Sequence, residues 1–303
     1  MQQTPQRTWL GALCVISAAL FWGTLGPIMH ILQRDTALTA IDISFLRALM
    51  GGLTLLVVAR VWRPSWLHVA RRDLPFFAAY GFLSVAAFFV LYATSVHINP
   101  VPVAVVLLYT APAFVAVASW RLFGEPMSRA KVAALVFVLL GSTLVAGLWS
   151  ATARHVTLLG LLVGVGSAAT YATLGLFGRV ALRRYEATTA MMFAFLFGAL
   201  FLTPIVARDA PAILAAFRTH GVLILIMGLI PTAASYVLYT LGLKWLLPGQ
   251  ASILATIEPV VGTVLAWLWL GQRIDALQIL GGVCILGSVL ILQRDIETTA
   301  EAA

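Results

Sequence analysis

Long apolar runs of similar length alternate along the whole chain with short polar connections. Each run is close to the roughly 20 residues that a helix needs to cross the hydrocarbon core of a bilayer. Strands of a membrane β-barrel would be shorter and would alternate apolar with polar positions, which these runs do not. The pattern therefore predicts an all-α integral membrane protein of ten transmembrane helices. The predicted spans are residues 10–31, 40–60, 74–97, 100–122, 130–149, 157–179, 187–207, 220–242, 248–270 and 275–292.

The composition leaves little room for anything besides these helices. Hydrophobic residues make up 61% of the 303 residues and charged residues only 10%, whereas a soluble domain carries about 25% charged residues. So few polar side chains could not cover a water-soluble fold of this size. We therefore expect no soluble domain, and we expect the lipid bilayer to surround most of the chain.

Positive charge is distributed unevenly between the two sides of the predicted membrane. If the N-terminus is cytoplasmic, 13 basic residues lie on the inner side and 5 on the outer side, with Arg47 inside a span. The five outer residues are Arg34, Arg154, Arg208, Arg218 and Arg273. Lys and Arg accumulate on the cytoplasmic side of membrane proteins. Both termini are therefore predicted to be cytoplasmic, and the net charge of +8 reflects topology and not nucleic-acid binding.

The cysteines and histidines give no indication of a cofactor. Cys14 and Cys284 both fall in apolar spans, so a disulfide framework is not expected. The five histidines are scattered along the chain without metal-ligand spacing. We therefore predict no metal site and no cofactor.

The second half of the chain repeats the first. A shift of 147 residues aligns 81–124 with 228–271 without a gap. The matched residues include Gly81 with Gly228, Val90-Leu91-Tyr92 with Val237-Leu238-Tyr239, Pro112 with Pro259, Trp120 with Trp267 and Gly124 with Gly271. We therefore predict two five-helix repeats, residues 1–150 and residues 151–303.

Five helices per repeat have a topological consequence. Because five is odd, the second repeat must enter the membrane upside down relative to the first. Inverted repeats of this kind are typical of alternating-access transporters, with the substrate site near mid-membrane where the repeats meet. The alternative is a gene duplication that serves stability alone.

Two ionisable residues lie well inside predicted spans, where a charge is costly and therefore a functional candidate. Glu258 lies about ten residues into the ninth span, directly before Pro259, which leaves the Ala255 carbonyl without its helical partner. Glu258 is either a substrate-binding or protonation site, or a structural partner for Arg47 or for backbone amides. For Arg47 we predict a structural role, pairing with Glu258 or with Asp42 near the outer interface.

An aromatic and polar stripe follows the third span at helical spacing. Its members are Tyr80, Ser84, Phe88 and Tyr92, and the repeat shift turns the last three into Pro231, Ser235 and Tyr239. Aromatic faces with hydroxyl tips suit a pocket for small organic solutes. Trp22 and its repeat partner Tyr171 are similar candidates. The alternative is that these rings are packing residues or interfacial anchors.

Several short motifs resemble those of a known family. They are Phe21-Trp22-Gly23, Phe45-Leu46-Arg47, Tyr109-Thr110-Ala111-Pro112 leading to Leu122-Phe123-Gly124-Glu125, and Leu254-Ala255-Thr256-Ile257-Glu258-Pro259-Val260-Val261 followed by Trp267-Leu268-Trp269-Leu270-Gly271. Over essentially the whole chain this pattern resembles the EamA-type drug/metabolite transporter superfamily. Gln272, where that family commonly has Glu, and Ala111, in the place that Glu258 fills in the second repeat, depart from the pattern.

The resemblance implies an exporter of amino acids or related metabolites in the bacterial inner membrane, similar to the exporters of aromatic and other amino acids. A permease for drugs or other metabolites and a non-transporting membrane scaffold are the alternatives. Rings of charge or a carbonyl filter would indicate a channel, and the sequence has neither. Facing catalytic groups would indicate an intramembrane enzyme, and these are also not found. The sequence also has no Walker-type loop, so solute gradients or protons would drive transport. We expect a monomer.

Overall fold

A computed structural model describes residues 5–147, 156–271 and 273–301, which form helices joined by short connections and contain no β-strand. The predicted repeat boundary at 150/151, Arg154 and Gln272 lie outside these described residues. The helices are α1 (Pro5–Gly23), α2 (Leu25–Asp35), α3 (Ala40–Trp62), α4 (Leu74–Gly81), α5 (Phe88–Ile98), α6 (Val101–Leu108), α7 (Ala111–Phe123), α8 (Arg129–Ala146), α9 (Leu158–Ala181), α10 (Ala187–Val206), α11 (Ala210–Gly228), α12 (Ser235–Gly242), α13 (Pro248–Ala255), α14 (Glu258–Leu270) and α15 (Ala276–Glu301).

Nine helical runs in the described part of the chain are long and apolar enough to cross a membrane. The all-helical, multi-pass membrane architecture is thus confirmed, while the count of ten stays a prediction. Large apolar side chains cover the outside of the bundle, Val61, Trp62, Leu158 and Val222 among them. Such a surface is stable only where lipid replaces water.

One run, Ala187–Gly242, has 56 residues. A straight helix of that length would extend about 84 Å, far beyond the roughly 30 Å hydrocarbon core. The run instead reverses direction within the membrane. Phe195 of α10 and Thr232 near α12, at opposite ends of the run, both pack against Gly51 of α3, which a straight helix would not allow. The connection between the seventh and eighth predicted spans, residues 208–219, is itself largely helical. Helix α11 begins at Ala210, where Pro211 in the first turn favours a helix start, and it is kinked at His220 (φ −125°, ψ 23°), where the eighth predicted span begins.

The two halves of the chain have the same local structure at matching positions. A π-helical turn at Phe82–Ala87 recurs at Leu229–Ala234, a shift of 147 residues. The fourth predicted span is divided into the two short helices α6 and α7. The same division recurs 147 residues later, where the ninth predicted span is divided into α13 and α14. Gly124 and Gly271 end α7 and α14 with φ of 67° and 65°, a left-handed conformation that glycine adopts without steric cost.

The halves also pack against each other reciprocally. Gly81 contacts Phe197 of α10, and Gly228 contacts Met50 of α3. These two contacts exchange under the repeat shift, as contacts related by a two-fold axis do. Gly141 of α8 and Gly281 of α15 bring the last helices of both halves into backbone contact.

Candidate functional site

A cavity of about 620 Å³ lies between the two halves. Its volume falls within the range of about 300–1,000 Å³ that small-molecule sites occupy. Gln33, Ala40, Val101 and Arg273, which lie at helix ends or in connections, line its mouth, so it opens towards one side of the membrane. Under the predicted topology this is the outer side.

Glu258 faces this cavity from a break in the ninth predicted span. Helix α13 ends at Ala255, and two tight turns connect it to α14. The Thr256 N–H donates to the Ile253 carbonyl at 3.1 Å, and the Ile257 N–H donates to the Leu254 carbonyl at 3.3 Å. Glu258 is consequently the first residue of α14 and not a mid-helix residue as expected. The helix dipole favours a carboxylate at this position, and Pro259 needs no backbone acceptor in a first turn.

Arg47 enters the same cavity from α3. Its guanidinium carbon lies 4.7 Å from the centre of the Phe89 ring, and the Tyr236 hydroxyl interacts with its side chain. Its charge also acts electrostatically on Glu258. The Nε atom of Arg47 is buried and has no hydrogen-bond partner on the protein.

The expected pairing of Arg47 with Asp42 does not form. Asp42 Oδ2 instead accepts hydrogen bonds from the Thr39 backbone N–H at 2.8 Å and from the Thr39 hydroxyl at 2.7 Å. Together with the return bond from the Asp42 N–H, these contacts close a capping box at the start of α3. The Asp42 carboxylate therefore caps the N-terminus of its own helix, α3.

Aromatic rings form the wall between these two charges. Trp22 meets Tyr236 edge-on with ring centres 5.0 Å apart. The ring centre of Phe88 lies 4.9 Å from that of Tyr171 and 6.0 Å from that of Tyr92. The cavity therefore combines a largely apolar surface with one acidic and one basic group.

The structure brings together seven of the residues predicted from the sequence. Trp22, Arg47, Phe88, Tyr92, Tyr171, Glu258 and Pro259 all line the cavity. Pro112 and Tyr239 line a second, smaller pocket.

Three predicted residues lie away from both spaces. The Tyr80 hydroxyl donates to the Leu174 carbonyl at 3.1 Å, and the Ser84 hydroxyl is 2.6 Å from that of Thr173. Ser235 donates to the Pro231 carbonyl of its own helix at 2.7 Å. A π-helical turn at Phe82–Ala87 interrupts the regular α-helical spacing from which the stripe was predicted.

Two wall residues, Phe89 and Tyr236, were missed by sequence reasoning. The repeat shift of 147 residues relates them to each other, as it relates Tyr92 to Tyr239. Repetition of an aromatic residue beside a candidate stripe is the signal that could have identified them.

A second pocket of only about 20 Å³ lies on the opposite side of Glu258. Tyr239, Ser252 and Thr256 line it, and they are the repeat equivalents of the cavity residues Tyr92, Val105 and Tyr109. Tyr109, Tyr171 and Glu258 line both spaces. Equivalent surfaces of the two halves thus enclose an open cavity on one side and a nearly closed pocket on the other.

A buried ion pair lies on the closed side. Lys131 Nζ is 2.7 Å from Glu125 Oε1, and the Gly249 backbone N–H donates to Glu125 Oε2 at 3.0 Å. Ser119 donates to the same carboxylate. Glu125 therefore joins the end of α7 in the first half to the start of α13 in the second.

Known proteins share this architecture. A solved crystal structure matches with a TM-score of 0.76 and 17% sequence identity, covering 95% of this chain and 98% of that one. At this identity the likeness shows the fold alone.

Two curated relatives span nearly the same length. An uncharacterized transporter of Archaeoglobus fulgidus is 28% identical over 289 residues, which are 94% of this chain and 97% of that protein. The threonine/homoserine exporter RhtA of Salmonella typhimurium is 28% identical over 262 residues, 84% of this chain and 83% of that exporter.

The family assignment follows from the two halves together. The EamA-like transporter family matches twice, over residues 9–147 and again over residues 158–294. The resemblance that the motifs indicate is thereby confirmed. Since these matches cover most of both halves, the chain belongs to the EamA-like transporter family.

Proposed function

We propose that this membrane transporter is a secondary exporter of amino acids, neutral and aromatic ones included, across the bacterial inner membrane. The observation that carries the proposal is the cavity between the halves, in which Arg47 and Glu258 face a wall of aromatic rings. Amino acids combine opposite charges with side chains that such a wall can contact. The relative named as a threonine/homoserine exporter supports the same solute class.

The proposed topology has ten spans, with the 56-residue run contributing two of them and both termini in the cytoplasm. Residues 1–150 and 151–303 form two repeats of opposite orientation. The double family match, the recurrence of broken helices at a constant shift, and the reciprocal glycine contacts support this arrangement. We expect the exporter to act as a monomer.

Alternating access is the proposed mechanism. The open cavity and the small pocket have repeat-equivalent walls and share Glu258 and Tyr171 as a common floor. If the halves exchange conformations, the open space closes and the closed space opens around a solute that stays at this floor. The conformation described here is open on the side of Gln33 and Arg273 and closed on the side of Glu125.

A second candidate function is a permease for drugs or other small metabolites. The rings of Trp22, Phe88, Tyr92 and Tyr171 favour it, since they can hold apolar solutes without regard to charge. A non-transporting scaffold is the third candidate, and it makes no use of the cavity.

Reconstitution in liposomes distinguishes these candidates. The purified protein is tested for flux of labelled aromatic, aliphatic, basic and acidic amino acids, of UDP-sugars and of a cationic dye. We expect saturable amino-acid flux that falls roughly tenfold or more in Glu258→Gln, because a charged hydrogen bond is lost. Tyr239→Ala tests the wall of the small pocket in the same assay.

Glu186→Gln is the matched control, since Glu186 is an exposed carboxylate paired with Lys244 and remote from the cavity. It should transport at the unmodified rate. Dye flux without amino-acid flux would establish the permease instead, and no flux from correctly folded protein would favour the scaffold.

A further inference from the structure

Arg47 and Glu258 belong to different halves of the fold, on α3 and α14, yet they face one cavity. Neither forms a direct ion pair with another residue in the described part of the chain. Burying an ionised group without a close counter-charge is strongly unfavourable. A bound solute that carries both signs of charge would compensate both residues at once.

The surroundings of Arg47 leave donors of its guanidinium available beside the interaction with the Tyr236 hydroxyl. Phe89 covers the guanidinium with its ring and contributes no hydrogen-bond acceptor. Asp42, the nearest acid along its own helix, is used in the capping box with Thr39. The buried Arg47 Nε lacks an acceptor on the protein, and a planar guanidinium matches a carboxylate with two parallel hydrogen bonds.

Glu258 has the complementary chemistry. An ionised carboxylate is an acceptor-only group, and that of Glu258 lies where α14 begins, at the floor that both spaces share. A primary ammonium offers three donors to such a carboxylate. Tyr109 and Tyr171 line the same floor.

Building on the proposed function, we infer that Arg47 is a specificity-determining residue that binds the carboxylate of the transported amino acid, while Glu258 binds its ammonium. The transported species is then the zwitterion, and the side chain of the solute contacts the rings of Phe88, Tyr92 and Trp22. Trp22 supports this assignment, since its buried Nε1 also has no acceptor on the protein. Arg47 is thus assigned to the substrate and not to the structural role that its sequence position suggested.

Solutes that lack one of the two charges test this assignment. Inhibition of labelled phenylalanine flux is measured with unlabelled phenylalanine, phenylalaninamide, which lacks the carboxylate, and N-acetylphenylalanine, which lacks the ammonium. The unmodified protein should prefer phenylalanine to both derivatives by roughly ten- to a hundredfold, the value of a charged hydrogen bond.

Each variant should lose one preference and keep the other. In Arg47→Gln, phenylalanine and phenylalaninamide are expected to inhibit flux at almost equal concentrations, while N-acetylphenylalanine should still inhibit only weakly. Glu258→Gln should show the reverse pattern. Ratios of inhibition within one preparation do not depend on how much protein folds, and Arg47→Lys, which keeps the charge but not the fork, should retain part of the carboxylate preference.

Arg60→Gln is the matched control, because Arg60 is an exposed arginine in the last turn of α3, the helix that carries Arg47, and does not line the cavity. It should keep both preferences. If Arg47→Gln transports phenylalanine with an unchanged preference over phenylalaninamide, the assignment of Arg47 is wrong while the exporter function stands. Absence of amino-acid flux in the unmodified protein would instead overturn the proposed function.

Discussion

At the scale of single residues, charges in this protein are stabilised by contacts between distant parts of the chain. Glu125 and Lys131 show this on the closed side, where their side chains are 0% and 3% exposed. Ser119 and the Gly249 backbone N–H complete the coordination of the carboxylate. The pair is close in sequence, but its burial depends on α13 from the other half.

Removal of one member of this pair should destabilise the fold. Glu125→Gln leaves the Lys131 ammonium buried without a counter-charge, which costs about 3–5 kcal/mol. Thermal unfolding in detergent, followed by circular dichroism, should show a clearly lowered midpoint.

The exposed pair Lys244–Glu186 provides the comparison, with side chains 35% and 47% exposed. Such surface pairs contribute about 0–1 kcal/mol, so Glu186→Gln should leave the midpoint nearly unchanged. Equal midpoints for the two variants would show that the Glu125 pair does not stabilise the bundle.

At the scale of elements, small residues decide which helices approach closely. A β-carbon on Gly81 would lie 2.6 Å from the Ala194 carbonyl oxygen and 2.8 Å from the Gly198 backbone nitrogen. Both atoms belong to the backbone of α10, so neither can move as a side chain would. Close approach of this kind is a general feature of helix packing in membranes.

Gly81→Ala should therefore force the two helices apart, at a cost of about 1–3 kcal/mol for overpacking. Gly287→Ala is the control within α15, since its β-carbon would meet only Phe137 at an ordinary 3.9 Å. The midpoint of thermal unfolding should fall for the first variant and stay level or rise for the second. A level midpoint for Gly81→Ala would mean that α10 relaxes more freely than its packing indicates.

At the scale of the whole molecule, the two halves are alike in local structure and unlike in what they enclose. Val105 lines the open cavity, and its repeat equivalent Ser252 lines the small closed pocket. This difference between equivalent positions is a property of the conformation and not of either repeat alone.

Cysteine labelling at these two positions tests the exchange of open and closed sides. In a background with Cys14→Ala and Cys284→Ala, Val105→Cys should react with a soluble maleimide and Ser252→Cys should react slowly. Addition of a transported amino acid should slow the first reaction and speed the second, because the halves exchange. A cysteine in place of the exposed Arg218, which lines neither space, should react equally under both conditions, and solute-independent labelling at positions 105 and 252 would contradict alternating access.

Much of this architecture follows from the sequence. Hydrophobic length predicts the helices, because the thickness of the bilayer sets the number of apolar residues in each span. The repeat predicts the recurrence of the π-helical turns and broken helices, since similar sequences with matched Gly and Pro have similar backbone preferences. Arg47 and Glu258 can be singled out as candidates because a charge inside the membrane is costly.

Other features were decided only by the tertiary structure. The stripe from Tyr80 to Tyr92 was predicted from regular α-helical spacing, whereas the structure has a π-helical turn at Phe82–Ala87 within it. The charged residue that shares a cavity with Arg47 could not be identified from the neighbouring sequence, since Asp42 caps its own helix and Glu258 lies more than two hundred residues away along the chain. The side on which the cavity opens depends on how the halves pack against each other, since the repeat-equivalent residues Val105 and Ser252 line different spaces. The sequence by itself thus determined the helices, the repeat and the buried charges through length and polarity, and packing between the halves determined which of those charges share a cavity.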